Sequence, residues 1–141
     1  MGLFGKRKKL EVEETVYESS TLSSEIISFL READVAYIGA YETRNMSLLK
    51  EYFNRDAIIK LGVLIRNTAG TRYFANEKFR TTSWTLMEDY GDSIVVEKSV
   101  VFSVIRVAGS TKIKISQDYT EYWTIEITED EILVSDIRME G

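Results

Sequence analysis

The chain has 141 residues and a net charge of −5, with no histidine, cysteine or proline. That length makes one domain, able to bury roughly two-thirds of the surface its unfolded form exposes. Without His or Cys there is no Ser-His-Asp triad, thiolate nucleophile, disulfide or thiolate metal centre; no metal or cofactor is expected, and catalysis would fall to carboxylates, Lys, Tyr or Ser/Thr.

Residues 1–20 read as a flexible charged tail. Lys6, Arg7, Lys8 and Lys9 are followed at once by Glu11, Glu13, Glu14 and Glu18. An acidic chain lacks the cations that neutralise phosphates, so no nucleic-acid partner is expected. Membrane contact is expected at most through the basic tail, where Leu3 and Phe4 precede the four cations and the acidic run opposes them. No apolar stretch approaches ~18 residues, and the opening residues match neither a signal peptide nor a myristoylation site, so the expected compartment is the cytoplasm.

Residues 21–141 form the predicted domain, and its first half is helical. Ile27, Leu30, Asp34, Tyr37 and Tyr41 recur at spacings of three and four, which predicts a first helix. After a break at 42–45, Asn45 is a plausible N-cap for a second helix carrying Met46, Leu49, Tyr52, Phe53, Ile59 and Val63. Gly62 marks a bend or a third short helix there.

Everything after Gly70 reads as strand, rich in Val, Ile, Thr, Tyr, Phe and Trp. Turn signals at 89–92, 108–111 and 128–131 divide it into strands over about 73–88, 93–107, 112–127 and 131–139. The expected fold is α+β, with N-terminal helices packed on a curved four-stranded antiparallel sheet. Loop lengths then set the register. If 108–111 is a four-residue loop, Val107 faces Lys112 and Lys98 faces Glu121. If 128–131 is another, Ile127 faces Ile132, Asp136 faces Trp123, and Arg138 faces Glu121 from the other side. Three charges of alternating sign would lie in one row, unless a bulge breaks a register. The second strand is apolar on both faces. Ile94, Val96, Val100, Phe102 and Val104 line one; Val95, Val101, Ile105 and Val107 line the other. Helices cover only one face, so the other is expected to meet a second copy in a homodimer, the alternative being singly exposed apolar side chains.

Residues 40–53, with the order Ala-Tyr, a charged break and Leu-Leu-Lys-Glu-Tyr-Phe, resemble the first helix junction of the NTF2-like superfamily. Residues 102–107, 118–125 and 132–137 resemble the C-terminal sheet of Tim44-like domains. There an acidic residue stands two before a Trp, as Glu121 stands before Trp123, and a closing apolar pair is loosely matched by Leu133 and Ile137. The resemblance implies a cone-shaped sheet with a pocket between sheet and helices. The superfamily contains isomerases, dehydratases, transport adaptors and secretion-system subunits, so the fold alone does not choose a function. Tim44-like proteins often carry a membrane-proximal extension, for which only the basic tail could stand in here.

The candidate ligand-binding residues are Asp34, Tyr37, Tyr41, Lys98, Glu121, Trp123 and Arg138. Asp34 sits on an apolar stripe, where a carboxylate needs a hydrogen-bond partner or a function, unless it lies at the stripe's edge. Tyr37, Tyr41, Tyr52 and Trp84 would line a cavity or fill a core. Lys98, Glu121 and Arg138 would make a polar site for an anionic or peptide ligand. The reading is a non-catalytic binding or adaptor module, homodimeric, taking a protein, peptide or small apolar ligand. The alternative is a small-molecule isomerase or lyase using a pocket carboxylate and Tyr.

Overall fold

Ser23 opens the helical half in the computed structural model, which describes residues 16–17, 22–68 and 74–140. Its backbone is extended and its hydroxyl accepts from the Ile26 N–H, so helix α1 (Ser24–Thr43) starts with one of its orphan donors satisfied. The buried positions are Ile26, Leu30, Ala33, Asp34, Tyr37, Ala40 and Tyr41: Ile26 is buried where the predicted stripe had Ile27, which is half-buried, and Ala33 and Ala40 join it. Arg44 ends the helix in the left-handed region, φ 62°, with its N–H on the Ala40 carbonyl.

The second predicted helix is two elements. Asn45 does cap, accepting from the Ser47 N–H, but the helix it starts is a 3₁₀ turn, Met46–Leu49. Helix α2 (Arg55–Thr68) begins afresh, with the Asn54 side chain accepting from the Ala57 N–H. Gly62 lies inside α2, which continues through it. The break falls at 50–54 because the backbone there has another partner. Asn54 N–H donates to the Val134 carbonyl at 2.9 Å and Val134 N–H donates to the Tyr52 carbonyl at 2.8 Å, while Phe53 is buried. Replacing either cap, Ser23→Ala or Asn54→Ala, is expected to cost about 1 kcal/mol, lowering the thermal midpoint by roughly 3–4 °C in circular dichroism.

Four long strands follow, β2 (Phe74–Asp89), β3 (Ser93–Ala108), β4 (Thr111–Ile127) and β5 (Ile132–Glu140), each antiparallel to its neighbour. A fifth, two-residue strand, β1 (Val16–Tyr17), pairs parallel with β2 at Ser83 and Trp84. So part of the expected tail is in the sheet; residues 1–15, with the basic run, lie outside the described residues. The β3–β4 connection tightens to two residues, Gly109 and Ser110, since Ala108 and Thr111 themselves pair. Gly109 takes φ +63° and Gly91, in the β2–β3 turn, takes φ +89°, conformations open to glycine without a Cβ penalty.

The expected β3–β4 register holds: Val107 faces Lys112 and Lys98 faces Glu121. The β4–β5 register starts as expected, with Ile127 opposite Ile132, then shifts after Ile125–Val134. Ser135 is the extra residue, its hydroxyl donating to the Thr124 carbonyl. Beyond the bulge Asp136 faces Thr124, Ile137 faces Trp123 and Arg138 faces Tyr122. The expected Asp136–Trp123 and Arg138–Glu121 pairs are therefore absent. Burial explains the shift: Val134 and Ile137 are three apart, and only a bulge turns both inward against Ile125 and Trp123. Thr81 and Trp84 of β2 both reach the interior by the same device, a bulge between Thr81 and Ser83.

The two helices cover one face of this α+β sheet. Leu30, Ala33, Tyr37, Phe53, Leu61, Trp84, Val96, Trp123, Ile125 and Ile137 are the heart of the core. A large apolar side chain buried this fully contributes about 1.5–3 kcal/mol. Val95, Val101 and Ile105 lie on the opposite face, half-buried.

Candidate functional site

The middle of the covered face is charged. Lys98 on β3 is 1% exposed and Glu121 on β4 is 0% exposed, opposite one another as a cross-strand pair. Asp34 reaches them from α1, four residues after Leu30 and three before Tyr37 on the buried side. The ammonium pairs with the Asp34 carboxylate and lies 3.3 Å from Oε1 of Glu121. Its place between two anions is reinforced by aromatic faces: the ring centroids of Tyr37, Trp123 and Trp84 stand 4.4, 4.8 and 5.6 Å away.

Each carboxylate is further engaged. Glu121 accepts from the Tyr37 hydroxyl at 2.7 Å, the Tyr119 hydroxyl at 3.1 Å and the Trp123 indole N–H at 2.9 Å. Asp34 accepts from the Thr81 hydroxyl. Buried charges are tolerated on this condition, that each is paired and its remaining lone pairs are filled. The rings interlock around them: Trp123 meets Tyr37, Phe53 and Trp84 edge-on at 5.3, 5.5 and 4.9 Å.

The structure thus brings together Asp34, Tyr37, Lys98, Glu121 and Trp123. Tyr41 packs edge-on against Tyr37 and leans on Phe79 of β2. Arg138 is the correction: the Ser135 bulge turns it to the uncovered face, where it lies 5.1 Å over the Tyr122 ring. Asp34 takes its place as the third charge, so the row reads anion, cation, anion. Thr81 and Tyr119 were not singled out in the sequence. Tyr119 was within reach, two residues before Glu121 on the same strand face. Thr81 was not, because its inward direction depends on the bulge beside it.

The expected pocket is filled at this level. Tyr37, Trp84, Trp123, Lys98 and Glu121 are all less than 2% exposed. Cavities lined by described residues lie elsewhere on the covered side. One of about 290 Å³ sits among Glu25, Phe29, Tyr52 and the β4–β5 turn; another of about 190 Å³ sits among Leu22, Ile26, Leu86 and Ile94. Among the described residues no group of three or more acidic side chains is arranged to hold a metal ion.

Two measurable consequences follow from the hydrogen bonding. The Trp84 indole N–H is buried without a partner, whereas that of Trp123 is bonded to Glu121. Trp123→Phe therefore strands a carboxylate lone pair, and Trp84→Phe strands nothing. The first is expected to cost about 1–3 kcal/mol more than the second in chemical denaturation. Burial and the neighbouring Glu121 carboxylate push the Tyr37 phenol well above its usual range, and the same two causes raise Tyr119. A raised folded-state pKa favours the neutral phenol, so the stabilisation is complete below pH ~10 and is lost as pH rises further. For Tyr37 the loss is about 1.4 kcal/mol per pH unit. In an ultraviolet titration, Tyr37 and Tyr119 are expected to ionise only as the chain unfolds, in step with loss of circular dichroism.

No helix among the described residues is long and apolar enough to cross a membrane. No family model and no curated protein matches the chain. Solved structures do. An NTF2-like superfamily protein from Salmonella enterica serovar Typhimurium aligns with TM-score 0.61 at 14% identity, over 87% of this chain and 92% of that one. The intermembrane-space region of the chloroplast protein ARC6 aligns with TM-score 0.58 at 9% identity, over 86% of this chain and 98% of its own. Identities this low speak to architecture, and what they establish is that the chain has the NTF2-like fold.

Proposed function

We propose that the protein is a non-catalytic, homodimeric binding or adaptor module of Tim44-like type, acting in the cytoplasm. One observation carries the reading. The groups that could do acid–base chemistry inside the cone, Asp34, Lys98, Glu121, Tyr37 and Tyr119, are bonded to one another and closed in by Trp84, Trp123 and Phe53. A general base must come within hydrogen-bond reach of a substrate proton, and Glu121 has its lone pairs committed to four donors already. With the interior used for folding, binding falls to the outer surfaces, and the apolar residues Val95, Val101 and Ile105 on the uncovered face are the proposed dimer contact. The lack of cysteine is compatible with a reducing compartment.

The alternative, an isomerase or lyase, draws on Asp34. It is the member of the row nearest solvent, with its side chain 11% exposed, and Tyr119 beside it is half-buried. Two measurements decide between the readings. Sedimentation velocity is expected to give a dimer, and Val101→Lys a soluble monomer. Deuterium exchange next to the carbonyl of enolisable ketones, followed by NMR, is expected at the uncatalysed rate. Exchange that the protein accelerates and Asp34→Asn abolishes would overturn the adaptor reading.

A further inference from the structure

The edge of β4 is open along half its length. β5 pairs with residues 120–127 only, and among the described residues nothing pairs with the far side of 111–119. The β3–β4 ladder has no register shift there, so the inward-facing Glu121 and Trp123 fix the alternation. Ile113 and Ile115, 50% and 36% exposed, face the covered side; Lys112, Lys114 and Asp118, also exposed, face the other. Next along the edge stands Glu140, opposite Thr120 and on the same face as Asp118. Such an edge takes an extended chain as an added strand. Main-chain hydrogen bonds give the affinity, and alternate side chains give the choice of partner.

The chain's own sequence holds a segment of complementary pattern. Residues 7–13, Arg-Lys-Lys-Leu-Glu-Val-Glu, are basic in the first half and alternate apolar with acidic in the second. Laid antiparallel with Leu10 opposite Ile115, the segment sets Val12 against Ile113, Glu11 against Lys114 and Glu13 against Lys112. Its basic half then meets the acidic end of the edge, Arg7 falling opposite Asp118 and beside Glu140. Apolar pairs and opposite charges directly across strands both stabilise a ladder. Other registers lose the match. A slip of one residue exchanges the two faces. A slip of two sets Lys9 against Lys114 in one direction; in the other it sets Glu14 against Ile113 and drives Arg7 into the place of Glu140. Parallel pairing with Glu11 at Lys112 sets Glu14 against Ile115, and with Glu11 at Lys114 it sets Lys9 against Lys112.

The segment cannot reach its own edge. Val16 of β1 is level with Thr120 of β4, through Ser83 and Ser99. Lys112 is eight residues further along β4, about 26 Å away, whereas the three residues from Glu13 to Val16 span at most about 11 Å. We propose that residues 7–13 of one copy add as an antiparallel strand to the β4 edge of a second copy. One added strand of seven residues is a contact well below the ~1,200 Å² of lasting complexes, so it links copies weakly and reversibly. It stands apart from the face contact at Val101, and neither contact needs the other.

A peptide titration tests the pairing. Isotope-labelled full-length protein receives an unlabelled synthetic peptide of residues 5–14, and amide signals are followed by NMR. The signals of 111–119 are expected to move and to saturate at a peptide concentration of about 1 mM or less. Lys114→Glu in the protein, or Glu11→Lys in the peptide, is expected to weaken binding about fivefold, because each sets like charges across the ladder. The two changes together restore opposite charges and are expected to return binding to within about threefold. Lys114 is exposed, and an unchanged circular dichroism spectrum reports that the variant folds. Signals of 111–119 that stay in place overturn the proposal, as does a charge swap that fails to restore binding. A scrambled peptide of the same composition that binds equally well overturns it too, since the lysines would then only attract charge. An unsubstituted protein that is monomeric at low concentration counts against the homodimer and leaves this pairing standing.

Discussion

Replacing Glu121 by Gln is expected to cost about 3–5 kcal/mol and to lower the thermal midpoint by roughly 10–20 °C. The change is isosteric, so the loss comes from charge and polarity alone. Every polar neighbour of Glu121 is a donor: Lys98, Tyr37, Tyr119 and Trp123. A carboxylate offers only acceptors to them, whereas an amide N–H₂ must either meet Lys98 and the Trp123 N–H, which cannot accept, or make the Tyr37 and Tyr119 hydroxyls accept where they now donate. Lys98 would keep Asp34 but lose its cross-strand anion in a site where it is 1% exposed. The matching control is Glu97→Gln, on the uncovered face, where the partner is the Tyr122 hydroxyl at 3.0 Å. That change is expected to stay within about 0.5 kcal/mol, as surface substitutions do.

Lys98→Met is the second large effect. Met fills most of the lysine's volume and is at home among Tyr37, Trp84 and Trp123, so packing is largely kept. What is lost is the single cation between two buried carboxylates. The expected cost at neutral pH is again about 3–5 kcal/mol, the range found when one partner of a buried ion pair is removed. Adding Glu121→Gln to Lys98→Met removes one of the two stranded anions. The double variant is therefore expected to be more stable than Lys98→Met alone, measured by denaturant midpoint. Two independent packing defects would instead add.

The sequence was most legible where alternation and turn chemistry agreed. The strand limits and the pairing of Lys98 with Glu121 follow from counting residues on either side of Gly109, because a two-residue turn leaves the register unchanged from the loop as first read. The second helix misled for the opposite reason. Its apolar spacing continues through Tyr52 and Phe53, but the Tyr52 carbonyl and the Asn54 N–H on either side of Phe53 are taken by Val134 of β5, a distant partner that no local pattern carries. Arg138 misled because one bulged residue inverts every side chain beyond it. The spacing of three between Val134 and Ile137 was the available sign.

The candidate site was legible by halves. Lys98, Glu121 and Trp123 came from strand arithmetic, and Asp34 and Tyr37 from a helical stripe, but nothing in either pattern says that the two sets meet. That meeting depends on how α1 lies across the sheet, which packing of Leu30, Ala33 and Tyr37 decides. Once it is made, the misplaced carboxylate of the helix and the unexplained ion pair of the sheet satisfy each other. The same closure supports the adaptor reading, since it turns the strongest acid–base candidates of the chain inward.

Lys98 and Glu121 act as one buried unit rather than as side chains held ready for a ligand, and a double-mutant cycle measures their coupling. Unfolding free energies of the unsubstituted protein, Lys98→Met, Glu121→Gln and the double variant give the coupling energy between the two positions. A coupling of about 3 kcal/mol or more is expected, since the double variant is to be more stable than Lys98→Met alone. A coupling below about 0.5 kcal/mol, the size found for distant and independent sites, would contradict the account.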